Sequence, residues 1–138
     1  MNKRKIVFRS DCPISTALDI FGDKWSLLII RDLMFKGLNT YGDLLKGGEG
    51  IATNILADRL GLLECAGIIS KTRHPESKAK VLYQLTPKGA GLAPVLIEII
   101  AWSEKHHEVH PQAIAFANEI KKDKAAVLAQ IYSRLDRQ

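Results

Sequence analysis

Residues 51–86 constrain this chain more than any other stretch. Leu56, Leu60 and Leu63 recur at helical spacing, while Thr53, Asn54, Ala57 and Asp58 fall on the opposite face, which predicts a helix over about residues 52–65 with one apolar and one polar side. Gly67 closes that helix, because glycine enters the left-handed region without steric cost. Residues 68–72 and 81–86 then read as two strands around the polar tip His74-Pro75-Glu76-Ser77-Lys78-Ala79, a hairpin with a long loop.

Upstream, Pro13 suits the first turn of a helix whose apolar face is marked by Ile14, Leu18 and Phe21 and which Gly22 ends. Asp23 caps a second helix over residues 24–35, where Trp25, Leu27, Leu28, Ile29, Ile30, Leu33, Met34 and Phe35 are apolar nearly all round, so it belongs in the centre of the core. Gly37 closes it, and Thr40-Tyr41-Gly42-Asp43 resembles a capping box opening a short third helix through Leu45. The glycine-rich loop Lys46-Gly47-Gly48-Glu49-Gly50 re-aims the chain into the helix at Ile51. A short helix, a glycine-containing turn and a second helix with a polar face form a helix-turn-helix, with residues 52–65 as the reader, and the hairpin makes it a winged helix.

After the hairpin, Thr86-Pro87 opens a long helix carrying Leu92, Val95, Leu96, Ile99, Ile100 and Trp102 on its apolar side. Pro111 separates a last amphipathic helix with Ile114, Ala117, Ile120, Val127, Leu128, Ile131 and Leu135. These two helices carry more apolar surface than the small core can cover. Leu92, Val95, Leu96, Ile99 and Trp102 are therefore expected to meet a second copy in an isologous homodimer, the alternative being that they fold back on the same core. The fold expected is mainly α with a small β-hairpin, an α+β winged helix-turn-helix with flanking dimerisation helices. It forms a single domain over residues 1–138, with a DNA-binding core at 8–89 and dimerisation helices at 90–138.

The 138 residues suit one domain, and 20 Lys and Arg against 15 Asp and Glu give a net charge of +5. The placement of the charge says more than its sum: Lys71, Arg73, Lys78 and Lys80 crowd the hairpin, opposed there by Glu76 alone, and Lys3, Arg4, Lys5 and Arg9 crowd the amino terminus. No run approaches the roughly 20 apolar residues of a membrane span, and no apolar run succeeds the basic start, so a cytoplasmic protein without a membrane partner is expected. Two cysteines, Cys12 and Cys65, are too few for a disulfide scaffold.

Four segments together resemble a known family. They are Cys12-Pro13-Ile14, residues 21–33 from Phe21-Gly22-Asp23-Lys24-Trp25-Ser26 to Leu33, residues 50–60 from Gly50-Ile51-Ala52-Thr53-Asn54 to Ala57-Asp58-Arg59-Leu60, and Tyr83-Gln84-Leu85-Thr86-Pro87-Lys88-Gly89. In that order, over about residues 8–108, they are similar to HxlR-type transcriptional regulators, relatives of the MarR group. The resemblance implies a homodimeric bacterial winged-helix regulator with no catalytic chemistry and no cofactor. Many members begin the reading helix with Ser-Pro-Lys where this chain has Ala52-Thr53-Asn54, so their base preferences do not carry over. Their wing arginine is represented here by Lys80, and the residues after Pro111 extend past the usual family end.

The polar face and the basic hairpin supply the candidate site residues. Thr53 and Asn54 sit at the end of the reader that enters a major groove, where Asn bonds adenine bidentately and Thr meets a thymine methyl or a phosphate; the competing role is a cap and a solvated first turn. Ala57 shares their face, and Arg59 reads equally as a phosphate contact or as a partner of Glu64, Asp58 or another helix. Arg73, Lys78 and Lys80 would supply salt-dependent contacts to backbone phosphate, and Thr40 and Tyr41 a phosphate contact at the start of the supporting helix. Double-stranded DNA is thus the partner expected, with a small-molecule effector or Cys12 as the source of any signal. Cys12 precedes a helix start near Arg9 and Lys24, a setting for a reactive thiolate, and the resemblance adds that some relatives sense oxidants or electrophiles at this position; a packing role is the alternative. Cys65 reads as a buried small hydrophobe. His106, His107, His110 and Glu108 are read as an exposed helix end rather than as a metal site, and no catalytic constellation stands out. The competing overall function is a winged helix serving as a protein-interaction module.

Overall fold

The computed structural model describes residues 5–74 and 76–136, without the side chains of His74, Ser77, Lys78 and Ala79. Its elements are α1 (Pro13–Phe21), α2 (Ser26–Phe35), α3 (Tyr41–Leu45), α4 (Thr53–Cys65), β1 (Ile69–His74), β2 (Ser77–Leu85), α5 (Pro87–Ala90), α6 (Ala93–His106), α7 (Pro111–Lys122) and α8 (Lys124–Asp136). They divide into two compact units, one ending at Gly89 and one beginning at Ala90.

In the first unit α2 is the central helix, with Ile29, Ile30, Leu33 and Met34 buried together with Leu44 of α3, Leu56, Leu60 and Leu63 of α4, and Ile68 and Ile69. It starts at Ser26 rather than Lys24. The Asp23 carboxylate accepts from the Trp25 and Ser26 amides at 2.9 and 3.0 Å and from the Ser26 hydroxyl at 2.5 Å, which satisfies the helix's first donors from outside it. Thr40 opens α3 as expected, its hydroxyl oxygen accepting from the Asp43 amide at 3.1 Å. The residues before α3 also lie against β2, through a bridge between Thr40 and Leu82 and the Tyr83 amide donating to the Asn39 carbonyl at 2.7 Å.

The hairpin is longer than its sequence implied. β1 and β2 pair antiparallel from Ile69–Leu85 to Arg73–Val81, and after a register shift His74 still faces Ser77, so most of the presumed tip is strand. A ladder of backbone bonds, once started by β-branched residues, extends through polar positions of low strand propensity.

The turn between α4 and β1 is held from three sides. Gly67, at φ +77°, ends α4 with the Ile68 amide donating to the Leu63 carbonyl at 2.9 Å and its own amide to the Glu64 carbonyl at 3.0 Å. From beyond β2, the Thr86 hydroxyl lies 2.5 Å from the Gly67 carbonyl and 3.1 Å from the Ile68 carbonyl, while accepting from the Gly89 amide at 3.1 Å. The Lys88 ammonium donates to the Ala66 carbonyl at 2.7 Å. Gly89 passes so close that a Cβ there would stand 2.1 Å from the Ile68 carbonyl oxygen.

After Thr86 the single long helix expected is two. α5 ends at Ala90 and α6 begins at Ala93, since Gly89 and Gly91 weaken helix and Pro94 is tolerated only in a first turn. The last helix is likewise two, α7 and α8, parted at Asp123, whose carboxylate accepts from the Ala126 amide at 3.0 Å and so starts a fresh helix. Within the second unit α6 packs on both α7 and α8, and Lys121 pairs with Glu104 at 2.9 Å and Lys124 with Glu98. Its buried positions are Ala93, Leu96, Ile97, Ala117, Ile120, Val127 and Ile131.

Because the obstruction at Gly89 is a backbone carbonyl that cannot rotate away, Gly89→Ala is expected to cost about 2 kcal/mol or more. Thermal unfolding followed by circular dichroism should show Tm lowered by roughly 5 °C or more, against little change for Gly42→Ala, where nothing lies within 4 Å of the added methyl.

Candidate nucleic-acid interface

The reading helix presents the face its spacing predicted. Leu56 and Leu63 are completely covered and Leu60 nearly so, while Thr53, Asn54, Ala57 and Asp58 are exposed. The N-cap position is Ala52, so Thr53 is the first helical residue and does not cap. The amino-terminal end of α4 is tied to α3 by the Tyr41 hydroxyl, which donates to the Thr53 carbonyl at 2.8 Å. That bond commits the hydroxyl proton of Tyr41, whereas the Thr40 oxygen accepts as the cap of α3 and leaves its own O–H able to donate.

Arg59 points into ion pairs. Its guanidinium lies 2.6 Å from Asp58 and 3.3 Å from Asp23, with the side chain only 21% exposed. Of the two sequence readings, this geometry matches the partner of carboxylates. Burial alone would raise the Asp23 carboxyl, yet the Ser26 hydroxyl, the Trp25 and Ser26 amides and the Arg59 charge outweigh it and hold the group below its ordinary pKa. A second arginine braces the turn ahead of the reader: Arg31 of α2 bonds Glu49 at 2.9 Å and the buried Asp32 at 2.8 Å, and Glu49 is held below its usual value by that hydrogen bond and charge. Neither Asp23 nor Arg31 and Glu49 stood out in the sequence as site residues. The available signal was charge embedded in an apolar run, Arg31-Asp32 inside α2.

Beside the reader, a groove between α3 and β2 brings Lys46 and Lys80 to the same opening as Thr40, Tyr41 and Tyr83. Both lysines are exposed, as is Arg73 of β1. The Lys78 side chain lies outside the described residues. Lys71 pairs with Glu64 at 3.7 Å. Lys46 and Lys80 thus share a groove with Tyr41, whose hydroxyl reaches the first residue of α4, an arrangement that attracts a polyanion.

Cys12 is exposed immediately before α1, its amide donating to the Ser10 hydroxyl at 3.2 Å and its carbonyl accepting from the Thr16 amide at 2.9 Å. Arg9, expected to lend it charge, is paired with Asp19 at 3.0 Å. Cys65 is exposed too, which corrects its assignment to the core: at the last turn of α4 it falls outside the Leu56, Leu60, Leu63 stripe. The helix that would have aligned His106 with His110 stops at His106. His106 and His107 instead pack on Trp102, with ring centres 5.3 and 5.4 Å away, and His110 caps α7 by accepting from the Ala113 amide at 3.1 Å. Among the described residues no three His, Cys, Asp or Glu gather into a metal-sized group, and no described helix is long and apolar enough to cross a membrane.

Of the residues expected at a subunit interface, Val95, Ile99 and Trp102 are exposed and line an apolar groove with Pro94, whereas Leu92 is half-buried and Leu96 is buried within one chain. Leu96 is therefore an interior residue, because α6 carries two apolar stripes and it lies on the covered one. The sequence missed a second open strip: α1 buries none of its residues, and Ile14 and Leu18 face outward along with Val7 and Phe8.

Comparison with known proteins places this arrangement. Residues 20–111 match the HxlR-like helix-turn-helix family. An uncharacterized HTH-type transcriptional regulator of Synechocystis sp., sll1512, is 43% identical over 86 residues, covering 62% of this chain and 63% of its own length. The HTH-type transcriptional regulator YodB of Bacillus subtilis is 35% identical over 98 residues, 70% of this chain and 87% of its own. The structure of reduced YodB superposes with a TM-score of 0.60 at 33% identity, covering 72% of this chain and 97% of that one; diamide-treated and quinone-bound forms of YodB are also similar. The redox regulator HypR in its oxidized form reaches a TM-score of 0.60 at 28% identity, covering 71% of this chain and all of its own. The two-stranded wing, the reader α4 and the matched residues agree: this chain is a winged helix-turn-helix protein belonging to the HxlR-like family.

Proposed function

We propose that this protein is a cytoplasmic transcriptional regulator that binds a pseudo-palindromic DNA site as a homodimer and acts by binding, not catalysis. The observation that carries this reading is the exposed Thr53, Asn54 and Ala57 face of α4, braced from behind and flanked by Lys46, Lys80 and Arg73. In a major groove, Asn54 bonds adenine, while Thr53 and Ala57 meet thymine methyls or a phosphate. The lysines neutralise phosphates and carry no sequence information. A partner copy covers the open Val95, Ile99 and Trp102 strip, since exposed apolar patches of this kind mark interaction sites. Cys12 carries the signal by reacting with an oxidant or electrophile; this second reading is favoured by its exposure before α1 and by the likeness to YodB and HypR. A small-molecule effector is the other source of signal, and a protein-interaction module the other use of the fold.

A duplex selected by the protein from a random library supplies the test. Asn54→Ala should weaken binding to it by about 1 to 3 kcal/mol and relax preference at one base pair. Lys80→Ala should weaken all duplexes alike and make the salt slope shallower by about one unit. Absence of salt-dependent duplex binding would leave the interaction module standing instead.

Light scattering tests the assembly. Ile99→Glu should convert a dimer to a folded monomer, whereas Leu96→Glu, placing a charge in the single-chain interior, should unfold the protein. A wild-type monomer at micromolar concentration with full DNA affinity would sink the dimer.

For the signal, Cys12→Ser should bind the selected duplex normally in reducing buffer and keep that affinity after quinone or diamide, treatments that should release the wild type. Equal release of Cys12→Ser would move the signal to exposed Cys65.

A further inference from the structure

We infer that Arg59 is a positioning residue and touches no DNA: bridging Asp58 to Asp23, it fixes the angle at which the reading helix offers Thr53, Asn54 and Ala57. The inference rests on the proposed reading of α4 as the DNA reader. Asp23 is itself immobilised, accepting from the Trp25 and Ser26 amides and the Ser26 hydroxyl at the head of the central helix. Arg59 therefore joins the first half of α4 to the most deeply buried helix of the unit, Nη1 to Asp23 at 3.3 Å and Nη2 to Asp58 at 2.6 Å. The planar guanidinium spans two carboxylates in a way a lysine ammonium does not. Its charge is already matched by two carboxylates, so a phosphate would have to compete with both. Tyr41 holds the helix nearly two turns earlier, at the Thr53 carbonyl, and two ties on different elements fix a helix against rocking where one does not. Supporting side chains of this kind set the precision of a binding surface without entering it.

The measurement is the ratio of affinities for the selected duplex and an unrelated duplex, with the salt slope of each, for wild type, Arg59→Ala, Asp23→Asn, the double variant and Asn54→Ala. With its oxygen on the Trp25 and Ser26 amides, Asn keeps the cap of α2, while its NH2 turns to the Ser26 hydroxyl, which can accept, and offers Arg59 neither charge nor acceptor, so Asp23→Asn stays folded even where Arg59→Ala does not. Arg59→Ala and Asp23→Asn should each lower the ratio about tenfold, the scale of one misread base pair, at an unchanged salt slope. The double variant should be no worse than either single one, because both remove the same tie. A slope shallower by about one unit in Arg59→Ala, or a wild-type ratio in Asp23→Asn, overturns the positioning role. A wild-type ratio in Asn54→Ala instead overturns α4 as the reader, so the two failures are told apart.

Discussion

The reading head hangs from the three-residue turn Ala66-Gly67-Ile68. A helix end leaves its last carbonyls without partners, and a strand must leave from the same place at a steep angle. Thr86 and Lys88, from beyond the far strand, supply donors to all three carbonyls of the turn, and Gly89 lets the chain pass against the last of them. The lysine also sits where the helix dipole favours a cation. Neutral hydrogen bonds contribute about 1 kcal/mol each and charged ones up to about 3, so the set is a sizeable part of the roughly 5 to 15 kcal/mol that holds an ordinary domain together. The same contacts fix the base of the wing relative to the reader, which makes stability and recognition geometry one property of this turn.

Charge in the unit is divided by chemistry. The arginines Arg31 and Arg59 are largely covered and each faces two carboxylates, whereas the groove beside the reader opens on Lys46 and Lys80. A guanidinium suits the interior because its fork satisfies several oxygens at once and it is less strongly hydrated than an ammonium. The excess of +5 in the sequence therefore says little by itself; what matters is which cations remain outside after the internal pairs are made.

The reader was legible because Leu56, Leu60 and Leu63 give the helical period and Gly67 the stop, both local signals that tertiary context reinforced. Local signals misled where competing ones were close in strength. Polar residues hid the outer half of the hairpin, paired glycines and Pro94 split one expected helix, and Asp123 split another by capping in mid-run. Periodicity also says that a stripe exists, not what covers it. Ile14 and Leu18 marked an apolar face that proves open, Leu96 looked like interface and is closed, and Cys65 looked buried and is not. The internal partners of Arg59 and Arg31 depend on residues 36 and 18 positions away, beyond the reach of any window along the chain.

The ties that hold the reader and wing are complete by Gly89, while the family match runs on to residue 111 and leaves α8 and nearly all of α7 outside it. The head shared with the family therefore does not depend on the pattern of residues 112–136, and those residues are where whatever is particular to this chain has room to reside.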